Sequence, residues 1–500
     1  MQAVKIDASY AKAWARLAAA SAGLGKRQET VDAWQRALAV LPVEKLTPAQ
    51  QKQRDLYSTK LSEAKAKAAE RAQGYTPPHI TLSVRDEDKP WNRAAKVVQE
   101  LLPSNTWNSS TIVSAFKNWS SGLEMMNQLR IIQTSAGPGC FGHMGVIERL
   151  SNAVIEDSRA FVLMDQDFFS KYNQKGEDEC SLLPNVLPDD SSIHTEVVVE
   201  VSQSRAWKDG GAKTVMEEAP KRVQREGWDT TRFALAVTVR GWLLRAFMQE
   251  NVMHDIGAAL DFYTSAIEVI QWGMQRWRDV PINEKGSIFQ ASFLRGVKCL
   301  RLDACIKAYT EHRGPSSKMP LSQILAGANE LLDELSAAPG EPDEETGIPY
   351  FMCFTRYPLA HAHSLRGFYH QHIARNARQA GSPALEVSES FQAAAAAYMQ
   401  AADIFPQDDE KHVMHLHFAV DALMEAGSPA SQILGLLDRI RDGIPIVKRI
   451  WEFSADAVSG CDAMLYRDMS LRKRLVQRMQ DGQIAADGII CTLEHRRLHD

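Results

Sequence analysis

The chain opens on two copies of one pattern, thirty-four residues apart: Ala3-Val-Lys-Ile-Asp-Ala8 recurs as Ala37-Leu-Ala-Val-Leu-Pro42. Between and within the copies stand Trp14, Leu17, Gly25, Trp34 and Ala37. These are the bulky and small residues that lock two antiparallel helices together. A repeat of this length is one helix–turn–helix unit. Alone it cannot bury its apolar face, so it needs stacked neighbours. The period therefore points to a binding scaffold of helical hairpins rather than to a catalyst.

The residues place the helices. The first is expected over 11–23 and the second over 28–40, with Gly25 at the turn and Pro42 as the stop. Ala18, Ala33 and Ala37 let the two helices approach closely, and Trp14, Leu17, Trp34 and Leu38 fill the space around them. Thr47-Pro48 reads as a helix start, with Thr as the N-cap and Pro at the first helical position. From there a polar, Lys- and Glu-rich helix is expected to about Arg71. Leu56, Tyr57 and Leu61 fall on one of its faces, as a terminal capping helix requires.

The string Ile6-Asp-Ala-Ser-Tyr-Ala-Lys-Ala-Trp-Ala-Arg16 resembles the opening of the third repeat in the tetratricopeptide domains of chaperone adaptors. The resemblance covers about the first seventy residues. It implies a groove in which Lys12 and Arg16 hold the C-terminal carboxylate and acidic side chains of heat-shock chaperones. The chemistry agrees. Residues four apart share a helix face. Lysine offers a point charge to a carboxylate and arginine a planar fork. The family's other clamp residues come from two preceding repeats, which this sequence begins too late to contain. A solvated helix face is the plainer reading of the same pair. The texture of the remaining chain resembles fungal proteins with tetratricopeptide-like repeats.

Five hundred residues exceed a single core and suggest about two to four domains. Net charge is −5, which gives no general attraction to nucleic acid or to an anionic membrane. The seven cysteines are scattered and include no CxxC pair, as expected of reduced thiols in a cytoplasmic or nuclear protein. No apolar run reaches about eighteen residues, so no transmembrane helix is expected. Lys5 and Asp7 interrupt any signal-peptide core at the N-terminus. Asn108-Ser-Ser and Asn118-Trp-Ser match the glycosylation pattern, read here as chance occurrences.

The expected fold class is mostly α, made of tetratricopeptide-like helical hairpins around a middle helical domain. Residues 1–72 form the repeat unit with its capping helix, 73–85 a linker broken by Gly74, Pro77 and Pro78, 86–230 the middle domain and 231–500 a repeat-like helical domain. The middle region holds a Gly-rich stretch (137–145), a Pro/Asp-rich loop (183–192) and a β-branched run (195–201) that reads equally as strand or helix. A second hairpin is expected over 242–270, where Ala259, Tyr263 and Ala266 repeat the offsets of Thr30, Trp34 and Ala37. Ala394, Tyr398 and Ala401 repeat them again, followed by Pro406. The stretch 337–347 reads as an acidic loop, and helices are expected to continue to about Met479.

Four further features contain residue types that carry chemistry. Gly137-Pro-Gly-Cys-Phe-Gly142 satisfies GxGxxG, with a strand expected before it, a helix over 143–157 and a second strand over 159–165. Against a dinucleotide site stand Pro138, which removes a donor beside the pyrophosphate, and the lack of further strand–helix alternation. A Gly-rich interhelix loop is the alternative. Cys140 and His143 contain the elements of a thiol nucleophile and base, although such partners normally meet from distant segments. His361, His363, His370, His372, His412, His415 and His417 cluster without nearby cysteines or an HExxH pattern, so no metal is expected. The helix 471–478 is basic, and a solvated face explains it better than nucleic-acid binding.

The function expected is a non-enzymatic adaptor for a protein or peptide partner, in particular a heat-shock chaperone C-terminus. Lys12 and Arg16 are its binding residues, and no cofactor, metal, nucleic acid or membrane is involved. The alternative is an enzyme with a nucleotide-binding or Cys/His site around Gly137–Gly145.

Overall fold

The computed structural model describes residues 10–23, 27–42, 47–72, 84–101, 107–128, 130–134, 137–141, 144–160, 200, 203–207, 210–311, 319–337 and 347–490. The fold is mostly α. By contacts the chain forms two compact units, one of residues 1–79 with 252–258, the other of 80–251 with 259–500.

The first unit contains α1 (Ala11–Gly23), α2 (Arg27–Ala39) and α3 (Pro48–Ala72). α1 packs on α2, and α2 on α3. Ala11, Ala18, Val31, Ala33, Trp34, Ala37, Leu41 and Tyr57 form the core. Trp34 meets Tyr57 with ring centroids 5.3 Å apart. α3 begins as its sequence requires: Gln50 N donates to Thr47 Oγ1 and Thr47 N to Gln50 Oε1, a reciprocal capping box. Tyr57 is buried and Leu61 half-buried, but Leu56 is 55% exposed. Leu56 therefore leaves the apolar face expected for it, because a 3.6-residue period turns it away from the seam that its neighbour Tyr57 enters.

The second unit begins with α4 (Pro90–Leu101), α5 (Asn108–Asn127), the strands β1 (Arg130–Thr134) and β2 (Gly137–Phe141), and α6 (Val146–Asp157). It continues through α7 (Gly211–Glu226), α8 (Trp228–Asn251), α9 (Ile256–Arg276), α10 (Ala291–Glu311) and α11 (Leu321–Ala337). A short helix (Gly347–Phe351) and a π turn (Met352–Arg356) lead into α12 (Tyr357–Gln379). Then come α13 (Ala384–Ile404), α14 (Glu410–Ala426), α15 (Ala430–Trp451) and α16 (Asp462–Gln480).

Helices α12 to α16 pack in chain order, each on the next. The connections from α12 to α15 are short, which makes neighbours antiparallel. The region expected as a second hairpin holds α8 and α9, and Ala259, Tyr263 and Ala266 of α9 are all fully buried. Ala394, Tyr398 and Ala401 likewise point inward from α13. The largest core joins the first helices of this unit to the last. Trp91, Ala94, Ile112, Ala115 and Ala160 pack with Val413, Leu416, Leu437, Ile440, Trp451 and Leu475. Residues from both sides of position 230 thus share one interior.

The loop expected at 183–192 lies outside the described residues, as do 338–346 of the loop expected over 337–347, 73–83 of the linker expected over 73–85, and the β-branched run apart from Glu200; Ala337 and Gly347 are a helix end and a helix start. No helix among the described residues is long and apolar enough to cross a membrane.

The α12–α13 contact depends on a glycine. A Cβ at Gly367 would stand 2.6 Å from two carbons of the Tyr398 ring. Tyr398 is buried and its hydroxyl donates to Gln371 Oε1, so the ring has little room to yield. Gly367→Ala is expected to destabilise the protein by about 1–3 kcal/mol, read as a lower urea midpoint. An unchanged midpoint would show that the seam can open at no cost.

Candidate functional site

Lys12 and Arg16 lie on α1, both exposed, while Ala11, Ala13 and Ala18 of the same helix are buried. Four residues apart, the two cations share a face. On another side of α1, Arg36 of α2 lies over the half-buried Trp14 ring, 5.0 Å from its centroid.

The glycine stretch differs from expectation. Gly137–Phe141 is a strand, not a loop, and pairs antiparallel with β1 in the register Ile131 to Cys140 and Gln133 to Pro138. Pro138 is tolerated because a two-stranded ladder leaves it on an edge. A dinucleotide unit needs a parallel strand on either side of its helix and a free helix start for the diphosphate. Here the start of α6 is already occupied. Gly145, in the left-handed region at φ 108°, offers no side chain, and the Glu200 carboxylate accepts from Gly145 N and Ile147 N at 3.1 and 3.2 Å. The second expected strand begins as a 3-10 turn, Ser158–Ala160. Gly142, His143 and 161–165 lie outside the described residues, so Cys140 and His143 are not placed together.

The other described thiols are not activated. Burial pushes Cys305 up to about 11 and Cys461 to about 12, and raises Cys299 and Cys353 as well.

The histidines are placed one by one rather than as a group: His361 Nε2, 3.6 Å from Asp303, and His363 Nδ1 are buried without a hydrogen-bond partner, and His370 meets the Tyr369 ring. His415 Nδ1 is 2.6 Å from Lys411 O and its Nε2 is 2.7 Å from Ser364 Oγ. Burial lowers it to about 4, so it is neutral and accepts the serine hydroxyl. His412 Nδ1 meets Ala402 O at 2.8 Å, and burial lowers it too. His372 packs against the Tyr309 and Phe368 rings. His417 is the exception. Burial opposes its charge, but Asp421 and Asp468 outweigh burial and raise it to about 9. Among the described residues no three His, Cys, Asp or Glu side chains are grouped to hold a metal ion. In the basic helix α16, Leu471 and Leu475 are buried and Arg472 is paired with Asp438.

The most concentrated polar chemistry lies where α5, α6, α12, α14 and α15 meet, and no sequence motif marks it. Arg159 follows α6. Its guanidinium binds Asp157 at 2.7 Å, Asp409 at 2.8 Å and Glu410 at 3.1 Å. It stacks on the Trp451 ring, 4.0 Å from the centroid. All three carboxylates are buried. Asp408 stands beside them and accepts from Asn108 N at 3.1 Å and Ser109 N at 2.9 Å, capping α5 across 300 residues. Trp107, at the N-cap of α5, has no oxygen to do so. Asn108 donates to the Tyr357 hydroxyl and to Asp409 Oδ2, and accepts from Trp451 Nε1. Its full burial removes the first glycosylation match from the surface.

The carboxylates differ electrostatically. Burial alone would raise Asp409, but Arg159 outweighs it, with help from Lys411 and Tyr357, and holds it at about 2. Burial dominates at Asp408, pushing it up to about 6, and at Glu410, pushing it up to about 7. One local signal existed in the sequence. Asp408-Asp-Glu410 after Pro406 reads as an acidic helix start, and Asp409 is the N-cap of α14. Nothing near it indicated Arg159.

Truncation of Arg159 leaves three carboxylates buried without their cation. Arg159→Ala is expected to cost about 3–5 kcal/mol and Asp408→Ala, which strands two helix-start donors, about 1–3 kcal/mol. Both are measured by equilibrium unfolding. A loss below about 1 kcal/mol for Arg159→Ala would show that the cluster is hydrated like a surface pair.

No protein-family model, curated protein or solved structure matches the chain.

Proposed function

We propose that this protein is an interaction scaffold of tetratricopeptide type, and that Lys12 and Arg16 of α1 bind acidic peptides, the C-termini of heat-shock chaperones being the expected ligands. One observation carries the reading. The two cations are exposed one turn apart on a helix whose other face is buried in a three-helix stack. Such a stack holds α1 in place. The backbone that carries the cations is then fixed before a carboxylate arrives, which reduces the entropic cost of binding. A lysine and an arginine together suit a terminal carboxylate with a neighbouring acidic side chain.

Helices α12 to α16 pack each on the next in chain order, as the helices of stacked repeats do.

Calorimetric titration of the full chain with an acidic peptide ending in a free α-carboxylate tests this. Binding is expected for the wild type. It should weaken at least tenfold, about 1.4 kcal/mol, in Lys12→Ala/Arg16→Ala, and fall with added salt. Absence of binding, or equal binding by both proteins, overturns the assignment of these residues.

A further inference from the structure

We propose that the Arg159 junction holds one exchangeable proton, on Glu410 Oε2, and that the junction is less stable once that proton leaves. The argument begins with charge. Arg159 is one guanidinium facing the carboxyl groups of Asp157, Asp409 and Glu410, whose side chains are 6%, 0% and 3% exposed. Lys411, at the start of α14, adds a second cation, but its ammonium lies over the Tyr357 and Phe405 rings. Asp408 and Asp456 add further negative charge around Glu410 and Asp409. Two cations among this many acids leave an uncompensated buried carboxylate. Such a group binds a proton rather than stay charged.

Hydrogen bonding identifies which carboxyl it is. Asp157 meets only donors: Arg159 N and Nε reach one oxygen and Nη2 the other. Asp409 receives both terminal guanidinium nitrogens, Asn108 Nδ2, Lys411 N and the Tyr357 hydroxyl. Glu410 has one guanidinium contact, on Oε1. Its Oε2 lies 2.8 Å from the Ser454 hydroxyl. A hydroxyl oxygen has two lone pairs. One accepts from Ala457 N; the hydroxyl donates to Oε2 while Glu410 is ionised, and its other lone pair accepts the hydrogen bond from Oε2 once Glu410 carries the proton. The polar and titratable groups around Glu410 and Asp409 among the described residues are Asp157 and Arg159 after α6, Tyr357 of α12, Asp408, Asp409 and Lys411 around the start of α14, and Ser454, Asp456 and Cys461 after α15.

The direction of the pH effect follows. Burial raises Glu410 from an ordinary 4.5 to about 7. Between these values the folded chain keeps a proton that the unfolded chain has released. The stabilisation is complete below 4.5 and is lost as pH rises through 7. Glu410→Gln keeps the neutral shape and an N–H donor toward Ser454 at every pH.

The experiment compares the unfolding constant of wild type and Glu410→Gln from about pH 4.5 to 8. Asp408 and the buried histidines titrate in both proteins and cancel in the ratio. The wild-type constant is expected to rise relative to the variant's by on the order of 100-fold across this range and then level off. A ratio independent of pH overturns the proposal. Infrared spectroscopy of the wild type alone covers the case of a variant that fails to fold. A protonated-carboxyl C=O band should be present at about pH 6.5 and gone by about pH 8.5. Its absence from the folded protein at the lower pH overturns the proposal equally.

Discussion

Arg159 draws together helix ends that are far apart in the chain. Its guanidinium binds Asp157 at the end of α6 and Asp409 and Glu410 at the start of α14, and stacks on Trp451 at the end of α15. Through Asp408 and Asp409 the same cluster reaches Asn108 at the start of α5. A buried ion cluster adds little over an apolar plug of equal volume, yet breaking one is expensive. Its effect is therefore to select. A docking that buried these carboxylates away from Arg159 would leave charges unpaired, at several kcal/mol each. The apolar surfaces around it, Ile112, Leu416, Ile440 and their neighbours, supply attraction without direction.

Several other helix ends in this unit are likewise met from a distance. Glu200 covers the start of α6. Arg93 of α4 donates to Lys448 O and Arg449 O at the end of α15, and Arg356 to Ile404 O at the end of α13. Carboxylates thus meet helix starts and guanidinium groups meet helix ends, as the helix dipole favours. In each case the partner comes from another part of the chain. The first unit manages its ends locally, with Thr47 and Gln50 closing the start of α3 within one turn. That difference separates a short stack from a unit whose elements are fastened across long loops.

The difference also explains what could be read from the sequence. The helices of the first unit, the stop at Pro42 and the Thr47 start depend on neighbours within four residues, and these were legible. So were the buried triplets Ala259, Tyr263, Ala266 and Ala394, Tyr398, Ala401, because a helix repeats its inward face at fixed offsets. The Gly137–Phe141 strand was not. Glycines by themselves read as a loop, and only pairing with Arg130–Thr134 fills their backbone hydrogen bonds. Arg159 was not legible either. Its partners at 409 and 410 lie about 250 positions away. No local pattern distinguishes it from a surface arginine.

The cap that Asp408 places on α5 has a consequence in time. Ribosomes add about 5–20 residues per second. The 300 residues that separate Asn108 from its capping carboxylate therefore take roughly 15–60 s to synthesise. For that interval α5 exists with its first amide groups open to water and its apolar face without the helices that later cover it. Until then Ile112 and Ala115, buried in the finished fold, lack the C-terminal residues that pack on them.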